Sequence, residues 1–294
     1  MRIRATVAAA SGALALSALV APAAHAADGG PSYRSELAKV FSQQTSGRSA
    51  FSAASDPVGD LDVSFSDFKI AKAIKVGTTA HVSTAVSYKL THSADVDVTS
   101  EDFLTLPVIY RGSSTAPVND LGPDEPATCA ETSATTAVCK ARIDIYPSGA
   151  NSSLLKNSQA GTWHGAAFAL DFASEKSSVQ FDLATTLVQR NSKLTVNAAP
   201  EPVKKGRTIT VTGKLSRANW ETHKYAGYTN QPVKLQFRKK GSSTYTTLKT
   251  IKSDSTGNLR TTTTASADGY YRFAFAGTST TPAVNAAGDF VDVQ

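Results

Sequence analysis

The stretch HVSTAVSYKL, residues 81–90, places Val82, Thr84, Val86, Tyr88 and Leu90 on one side of an extended chain and His81, Ser83, Ser87 and Lys89 on the other. Alternation with a period of two is the mark of a strand with one buried and one solvated face. The same pattern returns at Ala137 to Ile145, where Ala137, Cys139, Ala141, Ile143 and Ile145 face inward and Lys140, Arg142 and Asp144 outward. Further strands are expected at residues 61–68, 103–110, 162–172 and 179–187. Few windows outside the first 55 residues repeat apolar side chains at helical spacing, so the fold class expected is all-β.

The second half of the chain reads the same way with shorter strands. They are expected at 193–197, 207–215, 232–238, 245–252, 259–265, 270–276 and 289–293, separated by Gly, Pro, Asn and Asp. Asp254-Ser-Thr-Gly257-Asn258 and Asp268-Gly269 are the clearest turn signals. Seven short strands in about a hundred residues is the signature of an immunoglobulin-like sandwich. Two antiparallel β-sandwich domains are therefore expected, residues 56–190 and 191–294, the C-terminal one immunoglobulin-like. The short connection from Thr185 to Ser192 implies that they abut.

Ahead of them, Arg2 and Arg4, an apolar stretch from Val7 to Val20 and the small residues of Ala24-His25-Ala26 make a complete export signal over residues 1–26. Residues 27–55, rich in Ser, Ala, Gly and Gln, read as a flexible leader with one helix-compatible patch at Glu36 to Phe41. No second long apolar run follows, so no membrane span is expected, and the protein is expected outside the cell.

Charge divides along the same boundary. Residues 56–190 hold 10 Lys/Arg against 16 Asp/Glu, and residues 191–294 hold 15 against 6, so an acidic domain precedes a basic one. Such asymmetry points to partners of opposite sign or to solvated faces that differ in charge. The two cysteines, Cys129 and Cys139, both fall in the exported portion. In an oxidising compartment an isolated pair reads as a disulfide, since a metal site would want four ligands.

The basic half resembles a module of secreted proteins of filamentous actinobacteria. The stretches VKKG (203–206), GKL (213–215), NW (219–220), QPVKLQFR (231–238), DGY (268–270) and FAG (275–277) carry the likeness. The acidic half, through AGTW (160–163) and its cysteine pair, is more loosely similar to a domain of unknown function that precedes this module. The resemblance implies a bacterial, extracellular, immunoglobulin-like protein without an established activity; some relatives are labelled calcium-binding.

No familiar catalytic motif is present, and His81, His92, His164 and His223 sit in no recognisable constellation, so no catalytic residue is named and no cofactor is expected beyond calcium. For calcium the candidates are Asp95, Asp97, Glu101 and Asp102, four carboxylates within eight residues. Their spacing is wrong for an EF-hand, and the plain alternative is a strand with Val96 and Val98 inward. Between Ser216 and Tyr228, read as a loop, Trp220, Tyr225 and Tyr228 either meet a sugar or protein partner or fold back over the end of the sandwich. Lys234 and Arg238, with Gln236, Lys239 and Lys240, form the best basic stripe; nucleic acid is not favoured because interleaved aromatics are missing from it. The function expected is a secreted, non-enzymatic binding or structural protein acting on a cell-wall polymer, another polyanionic surface or an extracellular protein; the alternative is a calcium-binding extracellular protein.

Overall fold

The computed structural model describes residues 58–148 and 155–294. The export signal and the whole leader lie outside the described residues. No described helix is long and apolar enough to cross a membrane.

Among the described residues, ten strands build the first sandwich. One sheet runs β1 (Val58–Gly59), β10 (Lys176–Arg190), β9 (Gly161–Asp171), β5 (Phe103–Ser113) and β6 (Ala116–Leu121), with β3 (Ala73–Val76) also on β10. The other runs β2 (Val63–Ile70), β4 (Val82–His92), β8 (Thr136–Ile145) and β7 (Thr128–Ser133). Every pair is antiparallel except β3 on β10. The alternation at 81–90 becomes β4: Val86, Tyr88 and Leu90 are buried, and they stand opposite Ala141, Cys139 and Ala137 of β8. Tyr88 keeps its hydroxyl satisfied in the core by bonding to Thr105 Oγ1 at 2.9 Å, and burial pushes the phenol's pKa well above its ordinary value.

Cys129 and Cys139 stand directly opposite each other in β7 and β8 and are joined by a disulfide. Cys139 lies in the core, as its place in the alternation requires, and the bond fastens an otherwise exposed edge strand to it.

The six-stranded sheet is apolar on both faces. Phe103 to Tyr110 is a nearly unbroken apolar run, and its residues alternate between two clusters rather than between core and water. Ile109, Ala167 and Ala169 face the four-stranded sheet, whereas Leu106, Val108, Tyr110, Phe168 and Phe181 face away from it.

The second sandwich pairs β11 (Ser192–Leu194), β12 (Asn197–Ala199), β14 (Lys224–Gly227) and β17 (Asn258–Thr264) with β13 (Thr208–Asn219). Against them lie β16 (Thr246–Lys252), β15 (Pro232–Lys239) and β18 (Gly269–Phe275), with β19 (Val284–Asn285) and β20 (Asp289–Val291) on β18. If β11 and β12 count as one interrupted first strand and the β14 spur is set aside, the first strand pairs the second, the second the fifth, and the third the fourth and sixth. That is an immunoglobulin-like order. Val211, Leu215, Val233, Leu235 and Phe273 fill its core. The turn at 254–258 closes as expected: Asp254 Oδ1 accepts the N–H groups of Thr256 and Asn258, each at 2.8 Å, and Gly257 takes φ +85°. A Cβ there would stand 2.4 Å from the Leu215 carbonyl oxygen.

Residues 216–228 are not a loop. β13 runs on to Asn219, and β14 returns along it with Ser216 opposite Gly227 and Asn219 opposite Lys224. The tip turns because Asn219 Oδ1 accepts the N–H groups of Glu221 and Thr222, at 3.0 and 3.1 Å.

This hairpin joins the domains. Only Asn191 separates β10 from β11, and its N–H donates to the Val76 carbonyl at 2.8 Å while its own carbonyl accepts from Ala218 N–H at 2.8 Å. Trp220, 1% exposed, packs into the first domain's core. Asn157, in a short 3-10 turn (Asn157–Gln159), accepts Trp220 N–H at 3.0 Å and donates from Nδ2 to Asn219 Oδ1 at 2.9 Å and to the Glu221 carboxylate.

Candidate binding face

The outward positions of β15, β18 and β20 are set by register. Arg238 stands opposite Tyr270, Gln236 opposite Arg272, and Tyr270 opposite Phe290. Residues directly opposite on one face of an antiparallel pair touch, so the cations and aromatics form a row. The Arg272 guanidinium lies 3.7 Å over the Tyr245 ring, and Arg238 lies 4.2 Å over Tyr270 and 5.3 Å from Tyr245. Tyr270 and Phe290 have centroids 5.2 Å apart, and the Lys240 ammonium is 5.4 Å from Phe290. Each cation–π contact is worth about 0.5–1 kcal/mol at an exposed site.

The row is held in place by polar contacts. Gln236 accepts from Arg272 Nε at 2.9 Å and donates to Thr247 Oγ1 at 3.3 Å, and Arg238 Nη1 donates to the Ser242 carbonyl. Among the described residues neither guanidinium sits in an ion pair, while Lys240 pairs with Asp268 at 3.4 Å. The Asp268 carboxyl is held below its ordinary value, first by the Val293 N–H and then by Lys240. Lys234 and Lys239 extend the positive surface as exposed side chains. A guanidinium carries five donors in a fork suited to carboxylate and phosphate, so the face offers oriented cations beside aromatic surface.

The five residues named from sequence as binding candidates therefore separate. Lys234 and Arg238 lie on this face. Trp220, Tyr225 and Tyr228 belong to the hairpin side of the sandwich: Trp220 is buried against the first domain, Tyr225 lies under Lys193 Nζ at 4.0 Å, and Tyr228 is buried beneath Arg217 at 3.8 Å. The aromatics that interleave the basic stripe, Tyr245, Tyr270 and Phe290, are not in its own segment. They come from the β15–β16 connection, β18 and β20, and this corrects the expectation that the stripe lacks them.

Asp95 and Asp97 sit in local turns. Asp97 Oδ1 accepts Thr99 N–H at 2.9 Å and Thr99 Oγ1 at 2.6 Å, and both carboxyls are held below the ordinary value, Asp95 first by Ser93 and Asp97 first by Thr99. Asp95, Asp97, Glu101 and Asp102 do not converge at metal-ligand distance. Among the described residues the donors that do are His81, Asp124 and Asp144, whose ligand atoms lie within 4.8 Å of one another. His81 Nε2 is 2.8 Å from Asp144 Oδ1; its ring stacks on Tyr146 at 4.3 Å, and the Tyr146 hydroxyl bonds to Asp124. Residues 81, 124 and 144 are too far apart in sequence for any spacing to have signalled the group.

The hollow where the domains meet, about 450 Å³, is lined by Lys75, Leu187, Gln189, Gly277 and Thr278 among others, with no carboxylate. A larger open groove of about 630 Å³ crosses the four-stranded sheet over Lys69, Ser87, Lys140 and Arg142.

No family model matches the chain. No curated protein matches it either. Among solved structures it is similar to a marsupial T cell receptor at 12% identity and TM-score 0.33, covering 79% of this chain and 73% of that one. It is also similar to the fibronectin(III)-like modules of CbhA from Clostridium thermocellum, at 9% identity and TM-score 0.28, covering 79% and 92%. A third likeness is the adhesin InvE of Yersinia pseudotuberculosis, at 14% and TM-score 0.25, covering 78% and 60%. Likenesses this slight carry no argument about function, and the β-sandwich assignment rests on the strand order above.

Proposed function

We propose that the chain is a secreted, non-enzymatic binding protein whose arginine–aromatic face engages a polyanionic polymer outside the cell, with phosphate-bearing cell-wall polymers as the substrate class. The observation that carries this is the row Arg272–Tyr245–Arg238–Tyr270–Phe290, in which two guanidiniums without a carboxylate partner among the described residues are oriented by flanking rings. Lys234, Lys239 and Lys240 add long-range attraction. The disulfide fits an oxidising compartment, and the export signal and the resemblance to secreted actinobacterial modules belong to the same proposal. Cosedimentation with isolated cell walls over a salt series tests it. Binding at low salt that fades as salt rises, and that drops in the Arg238→Gln/Arg272→Gln double variant, is the expected result. No binding at low salt, or an unchanged double variant, sinks it.

A second reading, binding of a metal ion by an extracellular protein, is favoured by the convergence of His81, Asp124 and Asp144. An imidazole among the donors suits zinc better than calcium. Melting curves with each ion separate the two, and equal curves with and without metal remove the reading.

A further inference from the structure

The outer face of the six-stranded sheet is buried, with no covering layer among the described residues. Leu106, Val108 and Tyr110 of β5, Phe168 of β9, and Val179 and Phe181 of β10 are each 0% exposed, yet the cluster they form draws only on strands of that one sheet. Side chains standing on one face of one sheet do not bury each other completely, so another part of the chain covers them. Two segments lie outside the described residues: 1–57 and 149–154. The second has six residues, of which only Ala150 and Leu154 are apolar, too few to cover three strands.

We propose that the face is the docking site of the chain's own segment Tyr33 to Phe41. Three observations select it. Its apolar residues Tyr33, Leu37, Val40 and Phe41 recur at i, i+4, i+7 and i+8, the spacing that gathers one apolar stripe. The chain that follows enters the sheet directly, since Val58 and Gly59 pair with Val179 and Ser178 of β10, the strand that carries two of the buried residues. The 16 residues between Phe41 and Val58 span up to about 55 Å when extended, enough to reach any point of the face. The stretch read from sequence as a flexible leader with a helix-compatible patch is thereby assigned a structural role: it supplies the third layer of the first domain.

The test uses the chain from Ala27 onward. Hydrogen exchange is measured on residues 33–41 and on β5 and β9, together with binding of a dye that reports exposed apolar surface. Protection of 33–41 is expected in the parent chain, and the Leu37→Ser/Phe41→Ser double variant should lose it, bind dye and speed exchange in β5 and β9. Lys39→Ser, on the opposite side of the same periodicity, should do neither. If the double variant aggregates, a peptide of residues 31–46 added to a chain beginning at Asp56 should suppress that chain's dye binding. Unprotected residues 33–41 in the parent overturn the proposal, and so does a double variant that behaves as the parent does. A dimer whose dissociation exposes the face assigns it to a second copy of the chain and overturns it as well.

Discussion

The indole N–H of Trp220, in the second domain, donates to the main-chain carbonyl of Val76, in the first, across 3.4 Å. Trp220 is 1% exposed among first-domain core residues, and Ala218 beside it accepts from Arg190 Nε at 2.6 Å. Burial lowers the Arg190 pKa to about 10, which leaves the side chain charged at neutral pH and bonded to that carbonyl.

Trp220→Ala should therefore uncouple the domains. Emptying a fully buried tryptophan site costs about 3–5 kcal/mol, and here the loss falls on the contact between two cores. Calorimetry should show one transition in the parent chain and two in the variant, the lower one shifted down. One transition at the parental temperature would show that the hairpin does not couple the domains.

What the sequence discloses depends on whether a residue's neighbours lie along the chain or across it. β4 and β8 are legible because their alternation is local and one face is buried. β6 and β7 are not, because as short, largely exposed edge strands they carry few buried side chains and no clear period. β14 is missed for the same reason, and its partner's extension past Leu215 is hidden in polar residues. Lys234 and Arg238 are legible as a stripe on one strand. Tyr245, Tyr270 and Phe290 are not legible as its partners, since only strand register places them beside the arginines.

Tyr245 lies between the two guanidiniums, so Tyr245→Ala should weaken polymer binding without changing charge. The ring holds both guanidiniums in the free and the bound protein alike, so its removal acts by releasing their orientation. Affinity should fall by no more than the roughly 5- to 30-fold that two contacts of about 0.5–1 kcal/mol each correspond to. The salt dependence should stay as it was, whereas the Arg238→Gln/Arg272→Gln variant should flatten it. Affinities measured over a salt series distinguish the two effects. A Tyr245→Ala chain with parental affinity would reduce the ring to a bystander.

The disulfide closes a short hairpin and fastens the exposed edge strand β7 to the buried Cys139. In the chain-entropy account a loop of this size contributes roughly 2–3 kcal/mol. Reduction should lower the first domain's unfolding free energy by that amount, read as a lower urea midpoint at unchanged slope. The second domain should follow only through its coupling at Trp220, so in the Trp220→Ala background its transition should ignore reductant.

Acid should destabilise the second domain through its turns. Asp254 is held below the ordinary value of 3.8 chiefly by the Thr256 N–H and hydroxyl and the Asn258 N–H, and Asp268 chiefly by the Val293 N–H. A carboxyl whose folded pKa lies below its unfolded value adds stability that is fully present above the unfolded value. That stability is lost as pH falls through the folded value. Melting temperatures should therefore be level from neutral pH down to about pH 5 and fall below about pH 4. Asp254→Asn keeps an acceptor oxygen in the turn but removes the titration, so its melting temperature should fall less over the same acid range. Parallel curves for the two chains would mean that the turn at 254–258 takes no part in the acid response.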